Sequence, residues 1–229
     1  SRSGQQGRNE PVQTIPGVGF ATLAYLSKEY RTSGRTESHY SGSVTMSLGA
    51  ALSRFADKDS EVWSESLALL REGYSAVESM ELKREHIIAL GNVRSELVFD
   101  LLQDAAKLKR GELRAAAATA LSDLPTLERE PIMMDLVRDL AMPVQHSALE
   151  GFIRSPPSRS SEQTLERLVL DDQIRPINFR SALSALAGLP PAELLAVVEH
   201  MESHPLTPAD LLKVLREKRS LLEGSSELN

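Results

Sequence analysis

Two segments of the sequence repeat one pattern, and this repetition is the strongest constraint on the fold. Residues 83–93 read KREHIIALGNV and residues 114–124 read RAAAATALSDL. Each begins with a basic residue and carries an Ala-Leu pair six and seven positions later. A single helical hairpin cannot bury its own apolar stripe, so a hairpin that recurs at this interval buries it against the next copy. The repetition therefore predicts a stack of helix pairs, an α-solenoid.

Composition favours the same fold class. Leucine and alanine dominate the apolar residues, and aromatic residues make up only 4% of the chain. Leucine and alanine are strong helix formers, whereas the β-branched and aromatic residues that favour strands are sparse. The 229 residues are enough to bury a substantial core. We therefore predict an all-α protein.

Pairs of a small residue and a leucine align four successive second helices. The pairs are Ala89-Leu90, Ala120-Leu121, Ala148-Leu149 and Ala185-Leu186, at spacings of 31, 28 and 37 residues. The predicted helix pairs are 61–72 with 83–93, 95–109 with 114–124, 131–141 with 144–153, 161–170 with 176–189, and 191–202 with 208–222. In the third and fourth units Met142 and Phe179 take the position of the basic residue. Alanine lets neighbouring backbones approach closely, and leucine fills the remaining space.

The chain before residue 44 differs in character. Residues 18–30 have apolar residues at helical spacing and predict one short helix. Residues 31–43 are polar, lack periodicity and predict a linker. We therefore divide the chain into a flexible N-terminal segment, 1–43, and a solenoid, 44–229.

The repeated segments resemble a known family. ELRAAAATALSDL is similar to the second helix of HEAT repeats and of related HEAT-like and armadillo-type repeats, and REHIIALGNV resembles the form common in bacterial HEAT-like proteins. The resemblance covers roughly residues 60–203 and is strongest over 80–124. It implies a right-handed superhelix of about four to five helix pairs that serves as a binding surface or scaffold. It implies no chemistry by itself, because repeat folds host many functions.

Histidines are the first candidates for chemistry. His200 and His204 lie four residues apart, which places two imidazoles on one helix face, where zinc could be held. The segment lacks the His-Glu-x-x-His order and a third ligand, so we predict no metal site. His86 and His146 fall within second helices, where hydrogen bonding between repeats is the simpler role.

Charge restricts the class of partner. The chain has 32 acidic and 26 basic residues, a net charge of −6, which argues against nucleic acid as the partner. A local basic cluster, Lys107, Lys109, Arg110 and Arg114, predicts either a contact to phosphate or an acidic peptide, or a solvated rim. No apolar run approaches the roughly 20 residues that span a bilayer. The chain has no cysteine, which excludes disulfides and thiolate metal sites.

These observations predict a non-catalytic scaffold or adaptor that binds a protein partner through the face of the second helices. We predict no catalytic residue and no cofactor, and we expect the chain to act within a larger chain or complex. The polar positions expected to point away from the contacts between repeats are Glu81, Glu85, Glu112, Thr119, Asp123 and Glu150. Such a largely acidic face favours a basic partner.

Two alternatives come from other classes. One is a HEAT-like enzyme or enzyme accessory of the glycosylase or lyase type, which predicts a basic face with an aromatic-lined pit. The other is a helical lipid-handling module of the vitellogenin type, which predicts contiguous exposed apolar surface. An acidic or mixed face favours the scaffold.

Overall fold

The computed structural model describes residues 16–33, 39–55 and 58–226, and twelve α-helices make up most of these ranges. The helices are α1 Pro16–Ser33, α2 His39–Arg54, α3 Glu61–Ala76, α4 Met80–Val93, α5 Phe99–Ala105, α6 Gly111–Ser122, α7 Arg129–Val137, α8 Met142–Arg154, α9 Arg159–Leu170, α10 Phe179–Ala185, α11 Pro191–Ser203 and α12 Ala209–Ser226. Short 3-10 turns, Glu96–Val98 and Pro176–Asn178, precede α5 and α10. No strand occurs in the described ranges. The predicted fold class, an all-α superhelix, is confirmed.

The helices form two layers. The second helices α2, α4, α6, α8 and α10 pack side by side in chain order, and each first helix packs against the second helix of its own pair. In the first layer, α1 packs against α3, and α9 contacts both α7 and α11. The five predicted pairs are present, and α1 with α2 forms a sixth pair in the described part of the chain.

Contacts at backbone distance join the second helices. A Cβ atom added at Gly49 of α2 would overlap the carbonyl group of Ala89 in α4. A Cβ added at Gly91 of α4 would lie 2.6 Å from the Cβ of Ala120 in α6. These spacings are shorter than any van der Waals contact, so only glycine fits and the helix axes stay close.

The third unit corrects the predicted register. A Cβ added at Gly151 of α8 would lie 2.8 Å from the Cβ of Ser122 in α6. The contact of Gly151 with Ser122 is the contact of Gly91 with Ala120 shifted by 31 residues. The residues equivalent to Ala89-Leu90 are therefore Gly151-Phe152, and the predicted equivalence of Ala148-Leu149, at a spacing of 28 residues, is wrong. Helices α4, α6 and α8 begin at 80, 111 and 142, an even period of 31 residues. Ala148 lies one turn earlier and is also fully buried, which is why its pattern resembles the true contact.

The N-terminal pair is anchored to the rest of the stack by buried polar groups. Tyr30 of α1 is fully buried and its hydroxyl lies 2.7 Å from Nε2 of His86 in α4. The hydroxyls of Ser27 and Ser66 lie 2.7 Å apart, which ties α1 to α3. Trp63 Nε1 donates a hydrogen bond of 3.0 Å to the carbonyl oxygen of Leu52. His86 thus has the predicted role of a hydrogen-bond partner between repeats.

The linker predicted over 31–43 is wrong in its described parts. Residues 31–33 end α1, and residues 39–43 begin α2. Ser41 and Thr45 are buried against neighbouring helices, and Gly42 packs against the side chain of Glu85. The small polar residues at the start of α2 therefore allow close packing between helices, although such residues are also typical of loops. Residues 1–15 and 34–38 lie outside the described residues, and the division at 43/44 stays a prediction.

Replacing Gly49 with alanine tests the backbone contact. We expect Gly49→Ala to lower the free energy of unfolding by about 2 kcal/mol, because the added methyl group meets backbone atoms that cannot move aside. Gly224→Ala is the matched control, since a Cβ there meets nothing within 4 Å. The control should be neutral or stabilising by up to about 1 kcal/mol. Urea unfolding followed by circular dichroism measures both, and equal stability of Gly49→Ala and the wild type would contradict the contact.

Candidate partner-binding face

The outer positions of the second helices repeat every 31 residues, which aligns them in rows across α4, α6 and α8. Glu81 and Glu112 form one row. Thr119 belongs to a second row, between Ile88 of α4 and Glu150 of α8. Because equivalent positions lie side by side in a stack, each row runs across the helices. We refer to this surface, the outer side of α4, α6 and α8, as the second-helix face.

Three of the six predicted partner-binding residues are exposed on this face. Glu81 and Glu112 lie in the first turns of α4 and α6. Thr119 is also exposed, and its hydroxyl donates a 3.2 Å hydrogen bond to the carbonyl oxygen of Ala115. These three side chains occupy adjacent helices and are accessible to a partner.

The other three predicted residues are half-buried and contact neighbouring helices. The carboxylate of Glu85 lies against Gly42 of α2. A carboxylate oxygen of Asp123 lies 3.7 Å from Nε of Arg154. Glu150 accepts a 2.8 Å hydrogen bond from the hydroxyl of Ser181 in α10. These side chains join adjacent units. The spacing of residues within one helix does not reveal this role, because the contacts are made to other helices.

The face carries charges of both signs. Arg84 of α4 and Arg154 of α8 are exposed beside the acidic residues, and Arg180 is exposed on the neighbouring α10. Arg180 pairs with Asp210 of α12 at 2.8 Å. The expectation of a largely acidic face is therefore wrong: acidic residues concentrate in the first turns of α4 and α6, and basic residues interrupt them elsewhere.

Short side chains mark the centre of the face. On α6 the outward positions after Glu112 are Ala115 and Thr119, both with small side chains. The flanking positions are longer, with Arg84 on α4 and His146 on α8. At the level of Ala115, α6 therefore carries a shorter outward side chain than either of the flanking helices.

The basic residue that opens each repeat is a structural bridge. The Lys83 ammonium donates a hydrogen bond to the carbonyl oxygen of Tyr74, at the end of α3. Arg114 Nη1 donates 2.8 Å hydrogen bonds to the carbonyl oxygens of Leu108 and Lys109, just after α5. Each side chain thus donates to carbonyl groups at the end of its own first helix or in the turn that follows it.

Arg114 also reaches the next unit. Its Nε and Nη2 donate to the two carboxylate oxygens of Asp139 at 2.6 and 2.9 Å. The hydrogen bond from Arg114 lowers the pKa of the Asp139 carboxyl, with a further contribution from the backbone N–H of Ala141. The same pair raises the pKa of Arg114. Both side chains are largely buried, so this ion pair is shielded from solvent and links α6 to the turn before α8.

Gln145, and not Met142 as predicted, holds the position of the basic residue in the third unit, and it forms a third bridge. Its Nε2 donates to the carbonyl oxygens of Val137 and Gln173 at 2.9 and 3.1 Å. Its Oε1 accepts from the backbone N–H of Arg175 and from Nδ2 of Asn178, both at 2.9 Å. The 31-residue period from Lys83 and Arg114 points to Gln145, a signal that the misplaced Ala-Leu pair obscured. An amide can replace the cation at this position because it both donates and accepts hydrogen bonds.

The predicted basic cluster does not form one patch. Arg114 points inward to Asp139, and Lys107 lies 3.7 Å from Asp104. Lys109 and Arg110 are exposed at the turn between α5 and α6. The cluster is therefore divided between a buried structural bridge and the rim of the stack.

His200 of α11 and His204, which follows the last residue of that helix, lie near a carboxylate from another turn. Asp172, in the turn after α9, lies 2.9 Å from Nε2 of His200 and 3.8 Å from Nε2 of His204. His204 Nδ1 accepts from the backbone N–H of Leu206, and its ring contacts Phe179 edge-on. Within the described ranges, no group of three or more His, Cys, Asp or Glu side chains is arranged to hold a metal ion.

Comparison with known proteins gives likeness to solved structures alone. No protein-family model matches the chain. No curated protein matches it. Among solved structures, the complex of CpcE and CpcF of phycocyanin lyase from Nostoc sp. PCC7120 is similar, with 12% sequence identity, coverage of 97% of this chain and 100% of that chain, and a TM-score of 0.38. At this level the likeness assigns neither residues nor an activity to this chain.

A separate finding concerns membranes. Over residues 16–33, 39–55 and 58–226, no helix is both long enough and apolar enough to cross a lipid bilayer.

The bridge between Arg114 and Asp139 predicts a pH-dependent stability. Asp139→Asn should lower the free energy of unfolding by about 1–3 kcal/mol at pH 7. Folding lowers the pKa of Asp139, so the bridge contributes its full stability to the wild type above the ordinary carboxyl pKa of about 3.9. This contribution, and with it the difference between the wild type and Asp139→Asn, decreases as the pH falls through the pKa of the folded state. Urea unfolding at a series of pH values measures the difference from the wild type.

The control for this experiment is Asp135→Asn. Asp135 is 81% exposed and lies 3.3 Å from Arg138, an exposed pair that contributes little. A difference between Asp139→Asn and the wild type that stays constant from pH 7 to acid conditions would contradict an ionised Asp139 in the bridge.

Proposed function

We propose that this protein is a scaffold that binds a protein partner along the second-helix face, with α6 at the centre. The observation that carries the proposal is the even register of α4, α6 and α8, which begin 31 residues apart. This register aligns Glu81 with Glu112 and exposes Thr119 between two flanking helices. Exposed polar side chains on adjacent, evenly spaced helices form the kind of surface that repeat proteins use for binding.

The charge pattern supports a partner with basic residues. Glu81 and Glu112 lie side by side at one edge of the face, and Arg84 lies one turn further along α4. Opposite charges steer a partner onto the face, and a like charge excludes a wrong alignment. The preferred partner therefore presents basic side chains to the edge with Glu81 and Glu112, and a neutral or acidic side chain to Arg84.

Glu81 and Glu112 also have a structural role, and a test of partner binding must distinguish loss of binding from loss of helix stability. Acidic residues in the first turn of a helix also stabilise that helix through its dipole. Glu96 and Glu128 provide matched positions, because both are exposed acids at the start of helical segments beside first helices, away from the second-helix face. Charge reversal at either pair removes a similar dipole interaction.

We expect the double variant Glu81→Lys/Glu112→Lys to lose the partner and Glu96→Lys/Glu128→Lys to retain it. The measurement is quantitative affinity capture with each purified variant, after circular dichroism shows equal helix content. The apparent affinity should fall by about 10-fold or more, because two favourable charge contacts become repulsive. A photo-crosslinker at position 119 should join the partner directly.

Two outcomes would contradict the proposal. In the first, both double variants retain the partner equally, which places the contact elsewhere on the chain. In the second, a crosslinker at Ser64, exposed on α3, captures the partner as efficiently as one at position 119.

A further inference from the structure

A cavity of about 460 Å³ lies between the α3–α4 turn and the α5–α6 turn. Its apolar lining comes from Val77, Met80, Leu108 and Leu113. Three charged residues, Lys83, Arg110 and Glu78, complete the lining. The size falls within the range of small-molecule sites, and an apolar wall with a few charged groups is typical of them.

The repeat register shows what is distinctive about this position. Lys83 is equivalent to Arg114, which receives the carboxylate of Asp139 from the turn of the next unit. The residue equivalent to Asp139 in the preceding unit is Leu108, 31 residues earlier. The turn that follows Lys83 therefore contains a leucine at the position where the turn that follows Arg114 contains an aspartate. In the third unit, Gln145 likewise receives polar partners from the following turn, including Nδ2 of Asn178. The cavity therefore lies where the other two units contain a polar partner.

The cations of the cavity have few acceptors. Lys83 lies 3.9 Å from the centroid of the Tyr74 ring and donates to the carbonyl oxygen of the same residue. An ammonium has three N–H donors, and within the described ranges the Tyr74 carbonyl accepts from one of them. Burial lowers the pKa of Lys83, as expected for an ammonium that is partly removed from water. Arg110 is exposed and forms no ion pair within those ranges.

We propose that this cavity binds a monocarboxylate with a compact apolar body. The carboxylate lies against Lys83 in the place that Asp139 takes against Arg114, and Arg110 supplies a second cation. The apolar body contacts Val77, Met80 and Leu113. This chemistry is shared by a small free acid and by the C-terminus of a peptide that ends in an apolar residue.

Because Glu78 also lines the cavity, we expect the site to prefer a ligand with a single negative charge. The site contains Lys83, Arg110 and Glu78, so one positive charge remains when all three are ionised. Glu78 would repel the second carboxylate of a dicarboxylate, whereas the single charge of a monocarboxylate balances the one remaining positive charge of the site. Glu78→Gln should therefore tighten binding of a monocarboxylate, while Arg110→Gln should weaken it.

The first experiment compares 3-phenylpropionate with its neutral amide by isothermal titration calorimetry of the full chain. We expect the acid to bind with a Kd of about 1 mM or tighter. The amide should bind about 10-fold more weakly, because it forms no charge-assisted hydrogen bond with the ammonium. Equal affinities for acid and amide, or no saturable binding of the acid, would overturn the carboxylate site.

The second experiment supplies the missing acid from the chain itself. Leu108→Asp places a carboxylate at the position equivalent to Asp139, where it should pair with Lys83 and abolish binding of 3-phenylpropionate. Lys109→Gln is the matched control, since it removes an exposed cation beside Arg110 that does not line the cavity. Helix content by circular dichroism confirms folding of each variant. The proposal is overturned if Leu108→Asp binds the acid as the wild type does, or if Lys109→Gln weakens binding as much as Arg110→Gln.

A third titration distinguishes the two sources of the carboxylate. The probes are a tetrapeptide that ends in leucine with a free carboxylate and the same peptide with a C-terminal amide. Tighter binding of the free-acid peptide than of 3-phenylpropionate identifies a peptide C-terminus as the ligand. Binding of the small acid alone identifies a free metabolite-sized acid. The proposal does not depend on the second-helix face, so loss of the partner by Glu81→Lys/Glu112→Lys leaves it unchanged.

Discussion

Backbone contact between neighbouring second helices is the constraint on which the rest of the structure depends. Gly49 meets Ala89, Gly91 meets Ala120, and Gly151 meets Ser122, with no room for a Cβ at any of the three glycines. Such contacts set the distance between helices and, with it, the position of every outward side chain. The even rows of the second-helix face, from α4 to α8, follow from this spacing.

A second set of interactions holds each pair together and joins it to the next. Lys83, Arg114 and Gln145 occupy one position of the repeat, and each donates to a carbonyl oxygen at the end of its own first helix or just after it. Arg114 and Gln145 also bind the following turn, whereas the corresponding position of the turn after Lys83 is Leu108, which lines the same cavity. One repeated residue position therefore stabilises two interfaces and, where its second partner is missing, borders a cavity.

The structure separates two surfaces that the sequence places together. Glu81 and Glu112 belong to the second-helix face, although Lys83 and Leu113, close to them in the chain, line the cavity at the turns. A helix directs side chains one or two positions apart to different sides. A large partner on the face and a small ligand at the edge would therefore contact the same helices through different residues.

Local patterns were sufficient to predict the fold class and most helix pairs. Helical propensity and the spacing of apolar residues act within a single helix, so the all-α fold, the five predicted pairs and the small residues between them could be inferred from the chain alone. Among the candidate site residues, exposure of Glu81, Glu112 and Thr119 could be inferred in the same way.

Tertiary structure decided which small residues meet and which polar residues find partners. Ala148 and Gly151 lie about one turn apart on nearly the same side of α8, so periodicity cannot choose between them, and only the neighbouring α6 does. Glu85 rests on Gly42, and Arg114 binds Asp139, because stacking brings together segments that are distant in the chain. The amino-acid sequence by itself determined the helices and their apolar sides. The register between helices, and with it the bridges, the mixed charge of the face and the cavity, was set by packing at backbone distance.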